Sequence, residues 1–173
     1  YVSNSVLPDL YLKLQELSMA RPVSGLLTDM VCCPGGDFCS LANARSITVA
    51  EDINRRYKSL DKLESLGNID LRISGCMNSC GHHHIGNIGI LGVDKDGKAF
   101  YQLLLGGNSG EKGKASLGKI IAKAFAEDEI SDAVENILQH YLSKRDKNET
   151  FRNTVARLGN ASFAEAANKA RKS

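Results

Sequence analysis

Residues 69–81 have the sequence Ile-Asp-Leu-Arg-Ile-Ser-Gly-Cys-Met-Asn-Ser-Cys-Gly. The first half alternates apolar and polar residues, and this period of two predicts a β-strand with one buried face. That face carries Ile69, Leu71 and Ile73. The strand pattern ends at Gly75, and the pair Cys76 and Cys80 follows at once. Because glycine lets the backbone turn tightly, we expect both thiols at the carboxyl end of a buried strand.

A second cysteine pair lies upstream, in the sequence Cys33-Pro-Gly-Gly-Asp-Phe-Cys39. The apolar run at 24–31 predicts a buried strand, and the periodic run at 40–57 predicts a helix, so this pair lies across a strand-to-helix turn. Four thiolates on two glycine-rich loops suit a cubane iron–sulfur cluster. Zinc sites more often have shorter spacers within each pair, so zinc is the weaker alternative, beside a disulfide or plain buried thiols.

The remaining elements follow from periodicity and turn signals. Helical spacing predicts helices at 6–19, 61–66, 127–144, 149–158 and 162–171. Asp-Gly at 96–97 lies between two β-rich runs and predicts a hairpin of residues 85–93 and 99–105. A glycine-rich loop at 106–113 and a short strand at 120–125 follow. The predicted fold class is α+β, a mixed β-sheet with flanking helices and a helical C-terminal tail.

Composition narrows the possible functions. The 173 residues are 42% apolar and 24% charged, which is typical of a globular domain with a buried core. The net charge is only +2 and the basic residues form no runs, so we expect no nucleic-acid partner. No stretch approaches the ~20 apolar residues of a membrane span and no signal-peptide pattern is present, which predicts a cytoplasmic protein without membrane attachment. The chain opens on Tyr1, and we expect a fragment of a longer protein.

Four motifs occur in a fixed order, namely Cys33-Pro-Gly-Gly-Asp-Phe-Cys39-Ser-Leu-Ala, Ile73-Ser-Gly-Cys76-Met-Asn-Ser-Cys80-Gly, Ile88-Gly-Ile-Leu-Gly92 and Leu104-Leu-Gly-Gly107. Together they resemble the cluster-binding region of the sirohaem-dependent sulfite and nitrite reductase haemoproteins, over about residues 26–158. The resemblance implies the fold of the family's second large lobe. It also implies the end of a preceding ferredoxin-like lobe or linker helix at 1–22, a 4Fe-4S and sirohaem-binding α/β domain at 23–145, and a helical tail at 146–173.

The same resemblance implies a set of ligands. A [4Fe-4S] cluster would be held by Cys33, Cys39, Cys76 and Cys80. The Cys80 thiolate would also bind the proximal face of a sirohaem iron. Asn78 would either contact the cofactor or hold the turn, and Gly81 would allow the backbone to approach closely. Cys32 does not fit the spacing, and we expect it to be a small buried residue instead of a ligand.

Three consecutive histidines follow the second cysteine pair, at positions 82–84. In an extended segment His82 and His84 share one face and His83 points to the other, so the three cannot bind one metal ion together. We therefore expect these side chains to contact sirohaem carboxylates or to pack against the cofactor.

The resemblance implies an oxidoreductase that reduces sulfite to sulfide, or nitrite to ammonia, with six electrons, and sulfite is the favoured substrate. The expected partners are the N-terminal half of the same enzyme, which would supply the basic substrate-binding residues, and a ferredoxin or flavoprotein subunit as electron donor. This part alone is expected to be inactive, to self-associate and to bind sirohaem weakly. The alternatives are a zinc- or cluster-stapled interaction module without catalysis of its own, and a small electron carrier.

Overall fold

The computed structural model of the protein describes residues 1–110 and 114–172. Within these ranges the helices are α1 (Leu7–Glu16), α2 (Ile47–Arg56), α3 (Leu60–Leu66), α4 (Glu127–Lys144), α5 (Phe151–Leu158) and α6 (Asn160–Asn168). The strands are β1 (Val31–Cys32), β2 (Leu71–Ser74), β3 (Ile88–Lys95), β4 (Lys98–Leu105), β5 (Lys119–Ile120) and β6 (Phe125–Ala126). The predicted combination of a mixed sheet with flanking helices is confirmed.

The strands form one mixed sheet in the order β1-β2-β3-β4-β5, and β6 also pairs with β4. Strands β1, β2 and β3 are parallel, whereas β4 runs antiparallel to β3, β5 and β6. Across the sheet Cys32 pairs with Ile73, Ile73 with Ile90, and Ile90 with Leu103. Ile73, Ile90 and Leu103 are fully buried, so the sheet face that carries them lines the hydrophobic core.

Helix α4 packs against the sheet at β4 and β6. Its buried apolar residues recur three and four positions apart, as an amphipathic helix requires, and are Ile130, Ala133, Val134, Ile137, Leu138 and Tyr141. Each larger apolar side chain buried in this way contributes about 1.5–3 kcal/mol to folding. The helix contacts β4, α2, α5 and α6, so it is the centre of the helical layer.

The C-terminal region is helical, as predicted, and it shares this core. Phe151 on α5 and Phe163 on α6 are fully buried, with ring centroids 6.0 Å apart. Helix α6 packs chiefly along α4. The apolar residues of 151–170 therefore belong to the same hydrophobic cluster as those of the sheet, and the division of the chain at 22/23 and 145/146 stays a prediction.

The β-hairpin is confirmed, together with its turn. Asp96 and Gly97 have φ of 55° and 75°, the positive values that a tight two-residue hairpin turn needs. The Gly97 N–H donates to the Asp94 carboxylate at 3.2 Å. Helix α4 has the predicted bounds, and α3 begins one residue earlier than predicted.

The predicted strand at 24–31 is wrong except at its very end, where β1 begins. These residues form turns, in which the Leu26 N–H donates to the Val23 carbonyl and the Asp29 N–H to the Leu26 carbonyl. The Asp29 carboxylate also accepts from the Gly25 N–H at 2.8 Å. Such local hydrogen bonds satisfy backbone and side-chain groups without a strand partner, and they compete with sheet formation.

The predicted helix at 40–57 is shorter than expected, because α2 begins only at Ile47. The N–H groups of Asn43 and Ala44 donate to the Gly75 carbonyl, which holds the preceding residues in an irregular loop. The predicted strand at 120–125 is replaced by the short strands β5 and β6. Of the predicted glycine-rich loop at 106–113, residues 111–113 lie outside the described residues.

Helix α1 differs from the other helices because none of its residues is buried. The apolar side chains exposed on or beside it are Val6, Leu7, Leu10, Tyr11, Leu12 and Leu17. Pro8 stands in its first turn, where the missing N–H does no harm. Among the described residues, no helix combines the length and the apolar character that crossing a bilayer demands.

Candidate metal centre

Both cysteine loops begin at the carboxyl ends of neighbouring parallel strands. The register that pairs Cys32 with Ile73 places the first loop directly beside the second. The Cys33 N–H continues the ladder by donating to the Ile73 carbonyl at 3.1 Å. Parallel neighbours end at the same edge of a sheet, so the topology brings the two cysteine pairs to one edge.

Gly75 joins the two loops through its backbone. Its N–H donates to Cys33 Sγ at 3.0 Å. Its carbonyl accepts from the N–H groups of Asn43 and Ala44, at 2.9 and 3.0 Å. One peptide group of the second loop thus holds both the first predicted ligand and the segment that follows the first loop.

This junction has no room for side chains. A Cβ on Gly75 would lie 2.7 Å from the Ala44 carbonyl oxygen and 2.9 Å from Gly35 Cα. Gly35 itself has φ of +60°, and a Cβ there would lie 2.6 Å from the Ser46 hydroxyl oxygen. Glycine is therefore required at both positions for the loops to approach each other.

Hydrogen bonds to residues outside the first loop also attach this loop to the sheet. A 3-10 turn at Gly35–Asp37 leads into Cys39, whose N–H donates to the Gly35 carbonyl at 2.9 Å. Arg45 Nε donates to Asp37 Oδ1 at 2.7 Å, and the Arg45 carbonyl accepts from the Tyr101 hydroxyl at 2.8 Å. Burial raises the pKa of Tyr101, so this hydroxyl stays protonated and remains a donor.

The second loop is held by a different set of contacts. The Ser79 hydroxyl lies 3.2 Å from Nδ1 of His83 and 2.9 Å from Nδ1 of His84. The Gly81 N–H donates to the Ser74 hydroxyl at 3.1 Å. A Cβ on Gly81 would overlap the carbonyl oxygen of Ile73, so the backbone of the second loop packs directly against β2. The role of Gly81 toward a cofactor stays a prediction.

The histidine triplet is not extended, so the predicted alternation of faces is wrong. His82 has φ of 53° and a 3-10 turn follows at His83–Ile85. This turn brings His83 and His84 to the same serine hydroxyl and leaves His82 exposed. Burial, followed by the proximity of His84, lowers the pKa of His83 to about 4, and the buried ring is neutral at pH 7.

The four predicted ligands differ in exposure. Cys76 is buried, Cys33 and Cys39 are half-buried, and Cys80 is exposed, while all five cysteines are free thiols. Beside them Phe38 and Met77 are 82% and 83% exposed, which leaves an open apolar face around the thiols. Asn78 is exposed too, and its amide makes none of the hydrogen bonds found in residues 1–110 and 114–172.

Cys32 is separated from the other cysteines by its environment. Its side chain is half-buried and its Sγ donates to the Cys33 carbonyl at 3.2 Å. Burial, followed by the charges of Cys33 and Asp37, raises the pKa of Cys32 to about 12. In the absence of metal this sulfur is therefore a neutral thiol, and its exclusion from the ligand set stays a prediction.

The residues present fit an iron–sulfur cluster in their chemistry. The loops provide four thiols, a backbone N–H aimed at one sulfur, and glycines that let the two loops pack closely, and such hydrogen bonds to sulfur are typical of these centres. In residues 1–110 and 114–172, no group of three or more His, Cys, Asp or Glu side chains is arranged to hold a metal ion. The ligand set therefore stays a prediction.

Sequence reasoning missed the polar groups around the thiols. Asp37 and Arg45 are eight residues apart and Tyr101 lies on another strand, so their contacts are not visible in a local pattern. Ser79 precedes His83 and His84 by four and five residues. That spacing is the one local signal that could have indicated a shared contact.

Comparison with known proteins shows the family. The sequence model of the nitrite and sulphite reductase 4Fe-4S domain matches residues 26–173. A ferredoxin–nitrite reductase of Leptolyngbya laminosa is 32% identical over 126 residues, which cover 70% of this chain and 24% of that protein. A cobalt-factor III methyltransferase of Priestia megaterium is 31% identical over 155 residues, which cover 88% of this chain and 26% of that protein.

The fold leads to the same group of proteins. The structure of the Mycobacterium tuberculosis NirA protein superposes with a TM-score of 0.73 and 25% sequence identity, over 94% of this chain and 31% of that one. The chain spans about a quarter of the length of the two relatives described above. The resemblance inferred from the four motifs is confirmed, and the chain belongs to the sirohaem-dependent sulfite and nitrite reductase family, of which it carries the 4Fe-4S domain.

Proposed function

We propose that this chain is the part of a sulfite or nitrite reductase that holds the [4Fe-4S] cluster and presents the proximal ligand of the sirohaem. The observation that supports the proposal best is the junction at Gly75. Its N–H donates to Cys33 Sγ while Cys76 follows it directly, so the two cysteine loops are fixed to each other before any metal binds. Loops that are already joined lower the entropic cost of bringing their four thiols to one cluster.

The cysteines take different roles in this proposal. The cluster is held by Cys33, Cys39, Cys76 and Cys80. Cys80 is the most accessible of the four and serves as the shared ligand to the sirohaem iron. Asn78, with an exposed amide, and Gly81, with no side chain, lie close to it in the sequence, and both contact the cofactor. When bound, the two groups supply the electrons, one at a time, for a six-electron reduction.

The substrate is sulfite, reduced to sulfide, or nitrite, reduced to ammonia, and sulfite remains our preference. An anionic substrate needs positive charge on the distal face of the haem, and that charge comes from the N-terminal half of the same enzyme. This chain matches only about a quarter of the length of its relatives, so it is inactive without that half.

The electron donor is a ferredoxin or a flavoprotein subunit, and the enzyme is cytoplasmic. The relative from Leptolyngbya laminosa is named for ferredoxin.

The proposed layout assigns residues 1–22 to the end of the preceding lobe or a linker. The absence of any buried residue in α1 supports this assignment, because a helix with an apolar face normally packs against a partner. Residues 23–145 form the cofactor-binding domain, and residues 146–173 form its helical tail. The exposed leucines of α1 also account for the expected self-association of the isolated chain.

One observation favours a second candidate, a cluster-stapled or zinc-stapled module without catalysis of its own. The relative from Priestia megaterium is named a methyltransferase, although it shares 31% identity with 88% of this chain. The same domain thus occurs in a protein named for a different reaction. In this alternative the four cysteines stabilise the fold or transfer electrons within another enzyme.

Anaerobic reconstitution with iron and sulfide tests the proposal. We expect about four irons and four acid-labile sulfides per chain, as a single cubane requires. The Cys80→Ser variant should lose this content. The matched control is Cys32→Ser, which removes a neighbouring half-buried thiol outside the predicted ligand set and should retain it. Titration with sirohaem should then produce haem absorption bands that depend on Cys80.

Three results would count against the proposal. One zinc per chain without labile sulfide would establish the structural module. Equal loss of iron in the Cys32→Ser and Cys80→Ser variants would show that the ligand set is wrong. A full cluster that never perturbs added sirohaem, even when the N-terminal half is supplied, would leave the domain as an electron-transfer module of another enzyme.

A further inference from the structure

Ser46 stands at the N-terminus of α2, yet it does not cap the helix. Serine is among the preferred residues at this position because its hydroxyl can accept from an N–H of the first turn. The Ser46 side chain makes no such hydrogen bond. Ser59, at the corresponding position of α3, does accept from the Lys62 N–H. The Ser46 hydroxyl is therefore directed elsewhere.

The Ser46 hydroxyl points toward Cys33, the first cysteine of the predicted ligand set. Ser46 Oγ lies 3.5 Å from Cys33 Sγ, and the residue is fully buried. The Gly75 N–H approaches the same sulfur at 3.0 Å. Cys33 Sγ thus lies within hydrogen-bond distance of two protein groups, one from each side of the loop junction.

The packing around Gly35 holds the hydroxyl in place. A Cβ at Gly35 would lie 2.6 Å from Ser46 Oγ, so the glycine backbone fills the space on that side. In the free thiol either sulfur or oxygen can be the donor. A thiolate bound to iron has lost its proton, and the contact can then exist only with the serine O–H as donor.

We propose that Ser46 is a positioning residue that donates a hydrogen bond to the Cys33 thiolate and raises the reduction potential of the cluster. The inference rests on the proposed function, because it requires a cluster on Cys33. A hydrogen bond to a ligating sulfur withdraws negative charge from it, which stabilises the reduced cluster more than the oxidised one. The buried, low-dielectric position of Ser46 strengthens this effect.

The test compares Ser46→Ala with the wild-type chain, both reconstituted anaerobically to the same iron and sulfide content. At a fixed potential we expect a threefold to tenfold lower ratio of reduced to oxidised cluster in the variant, and tenfold corresponds to about 59 mV for a one-electron couple. The ratio is read from the electron paramagnetic resonance signal during a redox titration. Ser59→Ala is the matched control, because it removes a capping serine without a cysteine contact and should leave the ratio unchanged.

A second measurement does not depend on the potential. Exchange into D2O should shift the iron–sulfur stretching bands in resonance Raman spectra of the wild-type cluster, and part of the shift should vanish in Ser46→Ala. A cluster whose redox ratio and isotope shift both equal those of the wild type would overturn the role of Ser46 and leave the proposed function intact. A chain that assembles no cluster even as wild type would overturn both.

Discussion

The cysteine loops and the helical layer of α4–α6 are attached to the same sheet by different means. The helical layer is held by large apolar side chains, such as Phe151 and Phe163, that are fully buried. The loops are held by backbone approach at Gly35 and Gly75 and by hydrogen bonds such as that from Tyr101 to the Arg45 carbonyl. Apolar residues at helical spacing are enough to specify the helical layer. The cysteine loops instead require particular residues at particular positions.

The difference has a functional meaning. An apolar layer stabilises the whole domain, because each buried ring removes a large area from water. The junction at Gly35 and Gly75 buries little apolar area, but it fixes the positions of the cysteine sulfur atoms. Substitutions in the two regions should therefore separate the stability of the fold from its capacity to hold a cluster.

Phe163→Ala should have the greatest effect on stability. The ring is fully buried and lies 5.1 Å from the His140 ring and 6.0 Å from Phe151. Loss of a buried phenylalanine costs about 3–5 kcal/mol of unfolding free energy. Urea unfolding of the metal-free chain, followed by circular dichroism, measures it, with Leu12→Ala as control because Leu12 is exposed on α1. Iron bound per folded chain should stay at the wild-type level, and a parallel loss of iron would contradict the separation of the two regions.

Gly75→Ala should have the opposite effect, a large loss of cluster with a smaller loss of fold stability. The new methyl group would meet the Ala44 carbonyl oxygen and Gly35 Cα, so the loops must separate. We expect most of the cluster to be lost on reconstitution, with about 1–3 kcal/mol lost from the unfolding free energy. Gly36→Ala is the matched control: like Gly75 it has no positive φ, but the nearest atom to its Cβ position lies at 3.5 Å, an ordinary contact. It should retain the cluster, and equal iron loss in both variants would show that the loss of a loop glycine, and not separation of the loops, is responsible.

The two regions also differ in how far the sequence predicted them. The bounds of α4 and the Asp96-Gly97 hairpin turn follow from local rules, since periodicity and positive φ are properties of a few neighbouring residues. The start of α2 was missed because Asn43 and Ala44 are held by the carbonyl of Gly75, which lies 32 and 31 positions further along the chain. A single sequence contains no period that reports such a contact.

The candidate site shows the same division. The cysteine spacing and the motifs around it predicted the family and the strand ends on which the thiols stand. The shared contact of His83 and His84 with Ser79 was missed, because it depends on a positive φ at His82 that non-glycine residues rarely adopt. The diversion of Ser46 from its helix to a sulfur was missed for a similar reason, since a serine at that position ordinarily predicts a cap.

Acid titration should give the smallest effect and still distinguish the regions. In the helical tail Glu149 accepts from Arg157 at 2.6 Å, and this ion pair lowers the pKa of Glu149 to about 2. A carboxylate with a lowered pKa stabilises the fold above the ordinary value near 4.3, and the stabilisation is lost as pH falls toward 2. His83, beside the cysteines, has its pKa lowered to about 4, so its contribution is lost earlier, as pH falls from about 6.5 to 4.

The Glu149→Gln variant separates these two windows. Its melting temperature should be slightly below that of the wild type at pH 7, because the amide cannot replace the charged partner of Arg157. Between pH 6.5 and about 4.5 both proteins should decline in parallel, since His83 is unchanged. Below about 4.5 the wild type should decline more steeply and the difference between the two should shrink toward zero near pH 2. A constant difference across the whole range would mean that Glu149 carries an ordinary pKa, and the acid response would then no longer distinguish the helical tail from the cysteine loops.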